Sequence, residues 1–413
     1  MRIRSLRCAR YKAFNDPVEV EIRPLTLFFG RNNSGKSAIL RLIPLLLHTL
    51  SGRSPNQFPL KLDGHSYGAT FPDLIHGRFP DGNVEFGMTV VSSEGLLDLK
   101  KVEIQHIRRT SFGLQENMDY TVVSRFHLLM DGQRFDWNWV PGHGKVAKYQ
   151  TIGQVPFRGM LPDPEHGEAA GEYRSLFSEW RERFGRYEEK IEHLGPLRAP
   201  IQRFYDHFQT VQPLGFHGSG AISRLIGDQD LQERVSSWFE KHMEGWRFSL
   251  SSSGAVAEPS LSRGGVGINM AMAGEGMQHV LPVVTQQLER QISTQDGFLD
   301  LLEEPEMHLH PAAHAPLGDL LMATAKTGRG QVVVETHSEN LLLRIRRRIA
   351  EGNMDPDDVG LYWVEDLPEG GSRVKQIPID SDGEVAWWPE RVFSEGYQEV
   401  RAMRGAVHRR KGS

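Results

Sequence analysis

The segment "FFGRNNSGKSAIL", residues 28–40, constrains the fold more than any other stretch of the chain. It matches Gly-x-x-x-x-Gly-Lys-Ser at Gly30, Gly35, Lys36 and Ser37, directly after an apolar run and directly before residues at helical spacing. Strand, loop and helix in that order are the context a phosphate-binding loop requires. The two glycines let the backbone curl so that its N–H groups face phosphate oxygens, and the helix starting near Lys36 adds its positive end. In that arrangement Lys36 reaches the β- and γ-phosphates of a nucleotide and Ser37 offers a hydroxyl to Mg2+. Arg31, Asn32, Asn33, Ser34 and Ala38 complete the lining.

A phosphate loop that hydrolyses ATP also needs a carboxylate at the end of a neighbouring strand. "GFLDLLEEPEMHLHP", residues 297–311, supplies several. With the strand at Phe298–Leu302, Glu303 falls at the Mg2+ position, where Asp is usual, and Glu304 falls where a carboxylate takes a proton from attacking water. Asp300 sits too early in the strand for either role. A second apolar run, "QVVVETHSENLLLRI", ends in Glu335, Thr336, His337 and Ser338 before a helix. A histidine at such a strand end can contact the terminal phosphate; by itself it is an ordinary polar loop residue.

The same acidic stretch admits a rival reading. His308 and His310, two residues apart, could share a transition metal with Glu304 or Glu306 on an extended segment. Against it, Pro311 suits the first turn of a helix, which makes "HLH" a turn. His314 then belongs to the face of that helix.

Composition excludes whole classes. With 48 Lys+Arg against 53 Asp+Glu, a net charge of −5, the chain has no overall basic field of the kind a dedicated nucleic-acid binder carries. Its basic residues gather at the two ends and at Arg344–Arg348, which leaves a local nucleic-acid contact open beside the plainer reading of solvated faces. One cysteine, Cys8, builds neither a disulfide framework nor a thiolate zinc site within one chain, and fits a reducing cytoplasm. The run "ILRLIPLLL" is broken by Arg41 and Pro44 and is too short to span a membrane, and the start lacks the apolar core of a secretory signal.

Along the chain, the pattern predicts short strands, the phosphate loop and a helix to about residue 50, then antiparallel strands over about 81–160. Helices are expected over 171–247, including "YRSLFSEWRERFGRYEEKIEHL", with "GPLRAPIQRFY" as a non-helical bridge. "SSSGAVAEPSLSRGGVG" is expected to be a flexible linker, and helix–strand alternation follows to about 365. The organisation is therefore an N-terminal lobe at 1–80, an inserted β-rich then helical region at 81–247, a second lobe at 248–365 and a C-terminal extension at 366–413. No apolar heptad is sustained long enough for a coiled coil. Trp363, Trp387 and Trp388 read as packing residues, and Arg198 and Arg203 either as structural ion-pair residues or as contacts to phosphate or nucleic acid.

The order Gly-Lys-Ser, Glu-Glu-Pro, Thr-His-Ser resembles the ABC-type ATPases of the SMC-like and RecF-like branch, and "EEPEMHLHP" with "ETHSEN" looks like their stand-alone prokaryotic relatives. The resemblance covers both ends of the chain, including "VKQIPIDSDGEVAWWPERVFSE"; in the middle "HLGPLRAP" carries it best. It implies an α/β ABC-type head, a mixed sheet with helices, carrying an inserted antiparallel β and helical region. It further implies ATP hydrolysis with Mg2+ between two dimerised heads, Glu304 as base, His337 and Lys36 on the terminal phosphate, and Ser37 and Glu303 on the metal. An effector protein such as a nuclease or toxin, in antiphage defence or DNA maintenance, is the implied partner. Each phosphate loop in that family meets a glycine-rich signature of the other head. Between "LSRGGVG" and "AGEGMQHVLPVV", the second opens a helix and gives Gly274, Glu275, Gly276 and Gln278 that role. A nuclease of the OLD type, with Asp380 and Asp382 as paired aspartates, is the alternative, although the tail is short for it. A nucleotide-binding switch with little hydrolysis is a third.

Overall fold

The computed structural model describes residues 1–389 apart from 63, 94, 110–117, 141–147, 150–152, 155, 164 and 167–169, and describes residue 403 beyond them. The basic C-terminal end and "ERVFSE" lie outside the described residues, so the extension expected at 366–413 is seen only in its first part.

Among the described residues, six strands build the sheet that carries the phosphate loop. Their order is Ile191–Leu194, Phe298–Glu303, Gly330–Glu335, Leu25–Gly30, Val359–Asp366 and Ser372–Gln376. The first five run parallel and the last closes an antiparallel hairpin. Alternate side chains enter two separate cores. Phe28, Leu299, Leu301 and Val333 pack toward the helix Lys36–Leu50, while Leu27, Phe29, Leu302, Val332 and Val334 pack toward the helices Glu275–Ile292, Pro311–Ala325 and Glu339–Ala350. A sheet buried on both faces explains why its strands read as continuous apolar runs instead of alternating ones. Each fully buried Leu or Val here contributes roughly 1.5–3 kcal/mol.

A second sheet, antiparallel throughout, runs from Val18–Glu21 through Arg2–Ala9, Asn83–Ser92, Gly95–Arg109 and Met118–Met130 to Gln133–Val140 and two short strands. Gln331 joins it to the first. Its amide accepts from Ile3 N at 2.9 Å and donates to Ile3 O at 2.8 Å and Ile22 O at 3.1 Å, all buried.

Two sequence expectations need correction. The stretch expected to be a flexible linker is an antiparallel sheet, Arg247–Ser253, Val256–Arg263 and Val266–Asn269. Its serines hid a period of two, in which Phe248, Ala257 and Leu261 turn inward, and Gly254, Gly264 and Gly265 take the positive φ of the two hairpin turns. The end of the helix expected before "GPLRAP" is also a strand. The helix stops at Glu188, and Ile191–Leu194 becomes the edge strand beside Phe298–Glu303.

Candidate functional site

The phosphate loop spans the end of the strand Leu25–Gly30 and the start of the helix Lys36–Leu50. Close approach dictates its glycines. A Cβ on Gly30 would stand 2.2 Å from Val364 O, and Gly35, at φ +98, would place one 2.8 Å from the Phe14 ring. Asn33 takes a left-handed φ of 65, which Asn tolerates better than most residues. Lys36 is 3% exposed, and its ammonium donates to Gly30 O at 3.0 Å and Arg31 O at 2.7 Å. Burial lowers its pKa, against the opposing pull of Glu335 and Glu304. Ser34 Oγ is buried without a partner inside the loop. Arg31, Asn32 and Asn33 are exposed on its rim, while Ala38 is half-buried on the helix.

Strand order decides which carboxylate meets the loop. The strand Gly330–Glu335 lies between the phosphate-loop strand and Phe298–Glu303, so its terminal residue is the nearer one. Ser37 Oγ donates to Glu335 Oε1 at 2.9 Å, and Lys36 Nζ stands 3.9 Å from that oxygen. Glu335 Oε2 is buried with no partner. Burial pushes the Glu335 carboxyl up to about 7, with the Ser37 hydrogen bond opposing and Glu303 reinforcing.

Glu303, expected at the metal position, is held elsewhere. Its Oε1 accepts from Arg41 Nε at 2.6 Å and His193 Nε2 at 2.8 Å, and Arg41 NH2 also donates to Oε2. Burial raises its pKa, but the His193 and Arg41 hydrogen bonds outweigh that and hold it below the usual carboxylate range. The Ser37 hydroxyl donates to Glu335 instead. Asp300 lies deeper, buried against Arg290 at 3.0 Å and Gln287 at 3.1 Å. Glu335, Arg41 and His193 are the members that sequence reasoning missed. Glu335 was visible as the last residue of an apolar strand, but nothing along the chain says which strand lies beside the loop.

Glu304 follows at φ 44, a left-handed conformation uncommon for a glutamate, with its N–H on Glu335 O at 2.8 Å. Strain of this kind, about 1 kcal/mol or more, persists where surroundings impose it, often at functional sites. Here it aims a half-exposed carboxylate at His337, whose Nε2 lies 3.7 Å from Glu304 Oε1. Burial and the neighbouring Lys36 push the His337 imidazole down to about 4, which keeps it neutral. Glu306, a candidate third ligand in the rival metal reading, is buried. Its Oε1 accepts from Thr336 Oγ1 and from His337 N at 2.8 Å, which fixes the backbone that carries the histidine.

Glu304, Glu335 and His337 offer ligand atoms within 4.8 Å of one another. The set expected for the rival metal reading does not converge. His308 lies 3.4 Å from Glu275, and His310 caps the helix Pro311–Ala325 by accepting from Ala312 N. His314 bonds Ser338 Oγ at 2.7 Å from within that helix.

Gly274 precedes the helix Glu275–Ile292, and a Cβ on Gly276 would stand 2.4 Å from His308 O, so the acidic stretch packs on this helix start. Gln278 spends its amide locally, accepting from Ile201 N at 3.1 Å and donating to Ala273 O at 2.9 Å. The competing "LSRGGVG" is a hairpin turn. Arg198 is buried, donates to Glu303 O at 3.2 Å and leaves two other nitrogens without partners, while Arg203 stands over the Phe204 ring. Trp363 is buried in the core, with Trp387 and Trp388 packed against it. Asp380 closes a turn by accepting from the N–H groups of Asp382 and Glu384. Among the described residues no helix is long and apolar enough to cross a membrane.

Two family models match the chain. One, described as an AAA ATPase domain, covers residues 1–121, and the other, described as an AAA domain, putative AbiEii toxin, Type IV TA system, covers 162–344. An OLD nuclease from Thermus scotoductus is 23% identical over 359 residues, taking in 82% of this chain and 58% of that protein, so the chain spans less than two thirds of this relative's length. Among solved structures, an SMC head bound to the C-winged helix domain of ScpA is 15% identical, with 92% of this chain and 98% of that one covered at a TM-score of 0.49. The SMC head domain from Thermotoga maritima is 12% identical, with 92% and 100% covered at 0.43. The two AAA-domain matches fall on a chain whose phosphate loop, acidic strand and histidine strand share one parallel sheet, so the chain is similar to P-loop ATPases.

Proposed function

We propose that the chain binds ATP with Mg2+ and hydrolyses it between two heads, each phosphate loop meeting the helix start at Gly274–Gln278 of the other. One observation carries the reading: Lys36, Ser37, Glu304, Glu335 and His337, from three separate elements, converge at the mouth of one phosphate loop. Ser37 with a half-satisfied buried carboxylate fits a hard, oxygen-seeking cation. When bound, that cation neutralises charge on the phosphate oxygens. Lys36 exchanges its two backbone carbonyl partners for phosphate oxygens, and neutral His337 donates an N–H to the terminal phosphate. Glu304, exposed enough to meet water and fixed by its backbone, accepts the proton of the attacking molecule.

Head closure then acts on a partner protein or nucleic acid, in antiphage defence or DNA maintenance. The model description that names a toxin system supports an effector under ATPase control. The test is Glu304→Gln, which is expected to lower ATP turnover about 100-fold or more while ATP-bound dimers accumulate in light scattering. Unchanged turnover would remove Glu304 from the role of base.

The similarity to an OLD nuclease supports a second reading, an ATP-regulated nuclease. Plasmid cleavage with Mg2+ or Mn2+ that disappears in Asp380→Ala and Asp382→Ala would favour it over the first.

A further inference from the structure

We propose that Glu335, at the end of the histidine strand, is the carboxylate that holds the divalent cation of the nucleotide, and that Glu303 is a positioning residue locked by Arg41 and His193. This deepens the ATPase reading above and rests on it.

An ionised carboxylate has about four acceptor sites, so the two glutamates can be compared by how many are taken. Glu303 has three of them taken, two by the Arg41 guanidinium and one by the His193 imidazole, and is 1% exposed. A cation arriving there would have to displace Arg41, exchanging one paired charge for another in a closed space. Glu335 has one oxygen on the Ser37 hydroxyl and the other buried and unbonded. A buried carboxylate left half satisfied costs free energy unless a counter-charge arrives. The one cation paired with it among the described residues, Lys36, is 3.9 Å away, with its ammonium already on two carbonyls.

The hydroxyl that a phosphate loop offers to Mg2+ is the hydroxyl that touches Glu335. Mg2+ takes oxygen ligands, one or two carboxylates beside the phosphates, with small tolerance in distance. Ser37 and Glu335 provide such a pair on the nucleotide's side of the sheet. The partners already held separate the two glutamates, since Glu335 is bonded to that hydroxyl and Glu303 to Arg41 and His193. Glu303 then acts through others. By tying the helix Lys36–Leu50 to the edge strand through Arg41 and His193, it sets where the backbone of Glu304 begins.

The experiment titrates Mg2+ against retention of a fluorescent ATP analogue by the full chain, with the free Mn2+ electron-paramagnetic-resonance signal as a direct count of bound cation. Glu335→Gln is expected to raise the cation midpoint at least ~10-fold and to lose bound Mn2+, with circular dichroism verifying that the variant folds. Glu303→Gln is expected to keep the wild-type midpoint. The reverse pattern overturns the assignment, as does a wild-type midpoint in Glu335→Gln; that second result decides the matter even if Glu303→Gln does not fold. Glu335→Asp, which keeps the charge and shortens its reach, is expected to fall between. A wild-type chain with no Mg2+-dependent retention would sink the ATPase reading itself, whereas a Mg2+ dependence that Glu335→Gln leaves untouched would sink only this assignment.

Discussion

Glu303 and Glu335 stand opposite each other in register at the ends of adjacent parallel strands, yet their surroundings treat them in opposite ways. Glu303 meets Arg41 from the phosphate-loop helix and His193 from the edge strand, and its charge is held. Glu335 meets a serine hydroxyl and a distant ammonium, and its charge is resisted. Identical residues at equivalent strand ends therefore do different work. Side chains brought in from other elements decide which carboxylate belongs to the fold and which is left for a ligand.

The comparison breaks most visibly at Glu303. Glu303→Ala strands the Arg41 guanidinium and removes the tie between helix and edge strand, and losing one partner of a buried pair costs about 3–5 kcal/mol. Urea unfolding should show a midpoint shift of that size with an unchanged slope. A loss below about 1 kcal/mol would mean the pair is no stronger than an exposed ion pair.

How legible this contrast was in the sequence differs between its two halves. The phosphate loop is local: eight consecutive positions carry the turn, the lysine and the hydroxyl, so Gly30, Gly35, Lys36 and Ser37 could be named outright. Glu304 and His337 were legible because each follows an apolar strand. The place of Glu335 was not, because it depends on strand order, and order is set by which helices cover which face. Arg41 hid inside an amphipathic helix, and His193 lay at the end of a segment whose helical spacing concealed a four-residue strand. The linker reading failed for a related reason. Serines at outward positions look like low complexity until a partner strand shows that Phe248 and Leu261 face inward.

Glu335→Gln probes the other side of the comparison, without nucleotide or cation. The native carboxyl titrates at about 7, above its unfolded value of 4.5, so the folded state holds the extra proton between those values. The wild type therefore loses stability as pH rises from about 4.5 to about 7, and the variant does not. The variant should be the more stable by on the order of 2 kcal/mol at pH 8 and show no advantage below pH 4.5, read from paired urea curves. An advantage that is equal at both pH values would show that the buried charge is not its source.

His337, two residues beyond Glu335, carries the opposite sign and sharpens the contrast within a single strand end. Its folded pKa of about 4 lies below the ordinary 6.5, so the unfolded state takes the proton first as pH falls. Its contribution to stability is complete above about 6.5 and is lost as pH falls toward 4. Against His337→Asn, the wild type should give up roughly 1 kcal/mol between pH 7 and pH 4.5, a figure reduced from the full linkage value because a third of the side chain meets solvent. Glu335 is present in both chains of that comparison and cancels from the difference. If the gap instead widens as the pH falls, the imidazole is protonated in the folded state, and a charged His337 paired with Glu304 would replace the neutral donor on which contact with the terminal phosphate depends.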